Sequence, residues 1–234
     1  MSYDKLKELA FSEGVSVFGV GYIEDLRHNF DALSLEETEG LSYGISIGVR
    51  VSDSVLKGVV TGPTRHYLHH YKMLNLLLDQ TALKLSLLIQ GMGYRALPIP
   101  ASQIVDWQRQ TAHLSHKMIA LRAGVGWIGR NNLLVHLGFG SRIRLATVLT
   151  DIPLNPPSPP YTHHFHRGEE NCAGCRRCID ICPVSAIGET HKEWQKALCL
   201  ERLKYFARAY NIGQYICGLC VKVCQPLDIS KNMM

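Results

Sequence analysis

The chain has 234 residues, of which 46% are apolar and 19% charged, with a formal net charge of +5. That length suits one large domain, or a medium domain with a small one, and the apolar share predicts a buried core. The mild basic excess suits an acidic ligand or partner and selects none. The opening MSYDKLKELAFSEG alternates charges and lacks an apolar run of signal-peptide length, so the expected location is the cytoplasm.

In chain order, residues 2–13 place Leu6, Leu9 and Ala10 at helical spacing, and Gly14 follows as a C-cap. VSVFGVG (15–21) and SYGISIGVRV (42–51) are short and β-branched, which predicts strands. Residues 65–91 carry apolar side chains at Leu68, Tyr71, Leu74, Leu77, Leu78, Leu85 and Leu88, which predicts a long helix ended by Gly91 and Gly93. Its most apolar part, 74–89, is interrupted by Asn75, Asp79, Gln80 and Lys84. It falls short of the roughly 20 apolar residues of a membrane span. Here, too, His66 and His70 lie one helical turn apart, a spacing that can bind metal, though no third ligand is in view. RALPIP (95–100) should be extended, because proline disfavours helix in the residue before it. Residues 112–123 predict a helix, and NLLVHLGFGSRIRLATVLTD (132–151) predicts two strands joined across Gly138–Ser141. Alternating helices and strands define an α+β domain.

Four prolines in residues 155–160 make a stiff connector. A domain boundary is expected there: residues 1–154, a proline- and histidine-rich connector 155–169 holding His163, His164 and His166, and a small domain 170–234.

All eight cysteines lie between Cys172 and Cys224. So many thiols in a cytoplasmic chain argue for metal or redox chemistry over structural disulfides. Cys172, Cys175, Cys178 and Cys182, followed by Pro183, form C-x2-C-x2-C-x3-C-P, the bacterial ferredoxin run. There three cysteines wrap one cubane and the fourth reaches the other. Cys217, Cys220 and Cys224 lack a leading cysteine, which Cys199 can supply. The expected ligand sets are Cys172, Cys175, Cys178 and Cys224 for one [4Fe–4S] cluster, and Cys182, Cys199, Cys217 and Cys220 for the other. Two zinc ions are the competing reading, since zinc also uses C-x2-C pairs. The x3-C-P tail fits ferredoxin better. Arg176 and Arg177 lie inside the cluster loop, where they suit a reduced cluster or an acidic electron donor.

Upstream, Gly124, Gly126 and Gly129 form G-x-G-x-x-G around Trp127. A dinucleotide fold sets that pattern just after a strand, whereas here a helix precedes it. AGVGWIGRNNLLV (123–135), GSRIRLATVLTD (140–151) and the cysteine order together resemble the epoxyqueuosine reductases and their relatives, the reductive dehalogenases. The resemblance is strongest over residues 112–224. It implies a nitroreductase-like α+β domain before a ferredoxin-like module with two [4Fe–4S] clusters. It also implies a cobalamin near Gly124, Gly126, Trp127, Gly129, Arg130 and Asn131, reduced by the nearer cluster.

The epoxyqueuosine type carries an acid where Gln110 stands, and a glutamine cannot replace an acid as proton donor. This argues against a tRNA substrate. Asp106, His113 and His116 are the remaining candidates, the two histidines being expected on one helix face. The expected function is a cytoplasmic iron–sulfur reductase served by a donor such as ferredoxin or flavodoxin. The alternative is an electron-transfer or reductive-activation partner of another redox protein, with a corrinoid protein among the candidates.

Overall fold

The computed structural model describes residues 2–154, 172 and 174–225. The connector and its histidines lie outside the described residues. The chain forms two compact units, each built from separate stretches. Of the described residues, one comprises 2–49, 73–125 and 144–154, the other 50–72, 126–143, 172 and 174–225. The linear division at residue 155 therefore does not describe the packing. Two segments of the expected N-terminal domain join the cysteine-bearing unit, because their hydrogen bonds and ring contacts are made there.

The first unit is built on a four-stranded sheet of order β1-β2-β6-β3. Its strands are β1 (Val17–Tyr22), β2 (Tyr43–Arg50), β3 (Ala96–Ile99) and β6 (Ile143–Thr150). β1 runs antiparallel to β2 from Val17↔Gly48 to Tyr22↔Tyr43, and β3 runs antiparallel to β6. Gly44–Val49 are buried on both faces of the pleat, which explains why β2 reads as a continuous apolar run. Helix α1 (Ser2–Ser12) buries Leu6 and Ala10, and Gly14 turns the chain out of it at φ +90°. The four-residue helix α2 (Leu35–Thr38) is closed by a capping box between Ser34 and Glu37.

The long helix α4 (Arg65–Gly91) follows the short α3 (Asp53–Lys57). Its residues from Met73 onward belong to the first unit and bury Leu74, Leu78, Ala82, Leu85 and Ile89. That spacing is one helical stripe, worth about 1.5–3 kcal/mol per large side chain. Helix α5 (His116–Arg122) starts four residues later than the sequence pattern indicates. The His113 carbonyl is instead occupied by the amides of Asp31 and Ala32, at 3.0 and 3.3 Å, and Ser115 is extended. His113 and His116 therefore share no helix face. α5 packs beside β1, where Gly19 and Gly21 allow the backbone of Arg122 and Ala123 to approach.

In the second unit β4 (Trp127–Ile128) and β5 (Leu134–Val135) form a two-stranded hairpin. The sequence pattern joins β5 to β6 across Gly138–Ser141; the structure pairs β5 with β4 and closes 136–140 as a separate tight turn. Helices α6 (Arg177–Asp180), α7 (Lys196–Ala209) and α8 (Leu219–Val223) carry or flank the cysteines. Segment 50–72 backs them. Lys222 Nζ donates to the Val59 carbonyl at 2.7 Å, Tyr210 and Thr61 share a hydroxyl hydrogen bond, and Gly218 lies against the Tyr67 ring. No helix of the described residues is long and apolar enough to cross a membrane.

Candidate functional site: two sets of thiols and their wall

The second unit gathers all eight cysteines as free, half-buried thiols. Cys172, Cys175, Cys178 and Cys224 line one open pocket. Burial pushes the Cys178 thiol up to about 11, helped by the neighbouring Cys224, Cys172 and Cys175. Cys182, Cys199, Cys217 and Cys220 neighbour one another in the same way. Burial raises Cys217 to about 11 and also raises Cys220, with Cys199 and Cys182 adding to both. Cys220 also feels Cys178, so the two sets adjoin. These shifts are those of protonated thiols crowded away from water. A thiophilic metal would displace the protons and reverse the penalty.

Local structure explains the sorting. Cys172 and Cys175 sit on a turn closed by Cys175 N–H to the Cys172 carbonyl at 2.9 Å, and Cys178 lies one turn on in α6. Cys224 caps the far end of α8 and returns to the same place. Cys182 ends the loop after α6 and Cys199 projects from α7. Donors already point at the sulfurs. The Ser141 amide reaches Cys224 Sγ at 3.2 Å, the Ala186 amide reaches Cys182 Sγ at 3.3 Å, and the Trp194 side chain hydrogen-bonds Cys199.

Among the described residues no three Cys, His, Asp or Glu side chains converge closely enough for a single metal ion. A tetrahedral zinc would hold its sulfurs roughly 4 Å apart, given Zn–S bonds of about 2.3 Å. Thiols at the outer corners of an iron–sulfur cube stand wider than that.

The glycine-rich stretch lies beside the first thiol set. Trp127, Gly129, Arg130 and Asn131 line the pocket of the first thiol set. A Cβ on Gly126 would overlap the Val135 carbonyl oxygen of the paired strand. A Cβ on Gly129 would press on Val135 and come within 3.7 Å of Cys172 Sγ. Gly124 leaves α5 at φ +67°. The close approaches that Gly126 and Gly129 permit are thus to the chain's own hairpin and cysteine loop.

Two of the candidate proton donors, His116 and Asp106, are engaged within the fold. His116 hydrogen-bonds the Thr147 hydroxyl at 2.8 Å and the Pro100 carbonyl at 2.9 Å. Burial lowers its pKa to about 4, so it is neutral at pH 7. Although the residue keeps some exposed surface, the ring nitrogens are enclosed, and their surroundings govern the titration. Asp106 accepts the amides of Gln108 and Arg109, both at 2.8 Å, and so closes a turn. Gln110 sits in that loop at φ +53° and donates to the Trp107 carbonyl at 2.6 Å. His70 accepts the Ser52 amide at 3.1 Å through its ring nitrogen.

Sequence reasoning missed Ser141. Its hydroxyl is held by Asn131 at 3.1 Å and both residues are buried. Only the short GFGS turn hints at it.

Fold and site together define a mixed α+β protein with a thiol-rich unit of ferredoxin-like cysteine order. No family model matches the chain. It is similar to the epoxyqueuosine reductase of Bacillus cereus, with 33% identity over 121 residues, covering 49% of this chain and 30% of that protein. The Xanthomonas campestris epoxyqueuosine reductase matches at 30% identity over 65% of this chain and 38% of its own length. The tetrachloroethene reductive dehalogenase of Dehalobacter restrictus matches at 28% identity over 75% of this chain and 30% of its own. The chain spans about a third of the length of the curated relatives it matches.

Two solved structures show the shared fold. A catabolic reductive dehalogenase in complex with 3-bromo-4-hydroxybenzoic acid superposes with a TM-score of 0.69 at 19% identity, covering 94% of this chain and 31% of that one. An epoxyqueuosine reductase with a tRNA stem loop gives 0.60 at 20% identity, covering 94% and 64%. These matches bear out the resemblance to both groups carried by AGVGWIGRN and the cysteine order.

Proposed function

We propose that this chain is an iron–sulfur oxidoreductase of the epoxyqueuosine reductase and reductive dehalogenase kind, holding two [4Fe–4S] clusters. One observation carries the reading. Eight thiols, dispersed over some fifty residues, are drawn into two adjoining sets of four, the first lining a single pocket. Thiolate is the iron–sulfur ligand, and adjoining clusters pass electrons. Cys172, Cys175, Cys178 and Cys224 would hold the first cluster; Cys182, Cys199, Cys217 and Cys220 the second.

The chain's own residues orient the thiolates and supply amide donors to their sulfurs. A relative supports cobalamin as the electron acceptor, since one solved dehalogenase is described as performing B12-dependent dehalogenation. Cobalamin, when bound, would supply the reductive cobalt chemistry. The Cβ positions at Gly126 and Gly129 face the chain's own hairpin and cysteine loop. The tRNA substrate of the epoxyqueuosine reductases has the weaker support, because Gln110 offers no acid.

The test is spectroscopic. The full chain is reconstituted anaerobically, reduced with dithionite, and titrated with cob(II)alamin. Tight binding with reoxidation of the clusters supports the reductase. Loaded clusters without cobalamin binding favour the second reading, an electron-transfer partner fed by a ferredoxin or flavodoxin. That reading is favoured by Asp106 and His116, both engaged within the fold.

A further inference from the structure

We propose that segment 126–143 is the wall that sets the reduction potential of the first cluster, with Arg130 as its principal positive charge. This rests on the ligand sets above and goes beyond them. Arg130 lies in the wall of the first thiol pocket with a side chain only 13% exposed. Its guanidinium donates to the carbonyl of Cys175, a ligand of the first set, and to the Glu189 carbonyl at 2.8 Å. It therefore clasps the cysteine loop at both ends while holding a charge against the pocket.

The same wall carries the Ser141 amide, which donates to Cys224 Sγ at 3.2 Å, with Asn131 fixing the Ser141 hydroxyl. Gly140 lets this turn lie directly on the Cys224 backbone.

Reduction adds one electron to a [4Fe–4S]²⁺ cluster, giving [4Fe–4S]¹⁺, with no proton or ligand exchanged. A fixed cation and N–H···S bonds favour the more negative form and raise the potential. Partial burial keeps salt from screening the charge. Glu189 opposes it: its carboxylate lies 3.7 Å from Arg130, is half exposed, and also pairs with Arg176. Arg130 in the wall and Glu189 beside it thus carry opposite charges, and they predict shifts of opposite direction.

The experiment is a potentiometric EPR titration of the anaerobically reconstituted full chain with dithionite. Cys224→Ser identifies the first cluster's signal. In Arg130→Gln the reduced-to-oxidised ratio of that cluster at fixed poise should fall about tenfold, or 59 mV for one electron. Arg130→Lys keeps the charge and should stay within about threefold of the parent. Glu189→Gln should raise the ratio.

Full iron content with no change in either Arg130→Gln or Glu189→Gln overturns the proposal. Should Arg130→Gln fail to hold iron, the exposed Glu189→Gln decides: a raised ratio supports the wall and an unchanged one refutes it. A parent chain that never takes up eight iron would instead overturn the ligand sets.

Discussion

Gly140→Ala should unload the first cluster while leaving the fold standing. Gly140 has φ +62°, where an L side chain costs about 1–2 kcal/mol. Its new Cβ would overlap the Cys224 carbonyl oxygen and lie 3.2 Å from Cys224 Sγ. Overpacking of this kind costs about 1–3 kcal/mol. The sum, about 2–5 kcal/mol, lies below the 5–15 kcal/mol of a typical domain. The strain is therefore relieved most readily by moving Cys224, which stands at the end of α8, rather than by global unfolding. Gly138→Ala, two residues away, is the control. A Cβ there meets only the His136 ring, at 3.5 Å, an ordinary contact. Iron analysis with EPR and thermal melting reads both variants. Gly140→Ala should lose the first cluster's signal and up to half the iron, and Gly138→Ala neither. Equal, full loading of the two variants would refute the argument that the 136–140 turn positions Cys224.

Other substitutions probe other parts. Cys199→Ser should damage the second cluster and spare most of the first; intact signals from both would break the ligand partition. Gly126→Val should separate β4 from β5, with a loss of about 3 kcal/mol or more from overlap and broken strand hydrogen bonds. Trp127 fluorescence would follow it, and an unchanged spectrum would contradict the close approach to Val135. Stability should fall in acid because of His116, whose folded pKa lies near 4 against 6.5. Between those values the unfolded chain binds the extra proton, so this contribution is full above pH 6.5 and fades as pH drops towards 4. It is worth about 3 kcal/mol at most. Urea titrations of His116→Gln should show a shallower acid slope than the parent; an identical slope would remove His116 as the cause.

Local pattern carried much of the fold. α4 was legible because a 27-residue stripe repeats its signal many times, and Gly14 because only a positive φ suits the turn after α1. The thiol sets were legible because ferredoxin-type spacing is itself a geometric constraint. The start of α5 was not, since it depends on the His113 carbonyl meeting Asp31 from a distant loop. Nor was the partner of β5: a two-residue strand has no periodicity, and its pairing to β4 follows from a glycine, Gly126, that admits the Val135 carbonyl. The glycine-rich stretch was legible as a site wall but not for its ligand, because Arg130 works through backbone carbonyls that any sequence supplies. Interleaving of residues 50–72 and 126–143 with the cysteine unit left no compositional trace.

The most direct measurement is the metal and sulfide content of the full chain after anaerobic purification and reconstitution. The account predicts about eight iron and eight acid-labile sulfide per chain, in two [4Fe–4S] clusters that interact magnetically when both are reduced. Two zinc ions per chain with no iron taken up would contradict it.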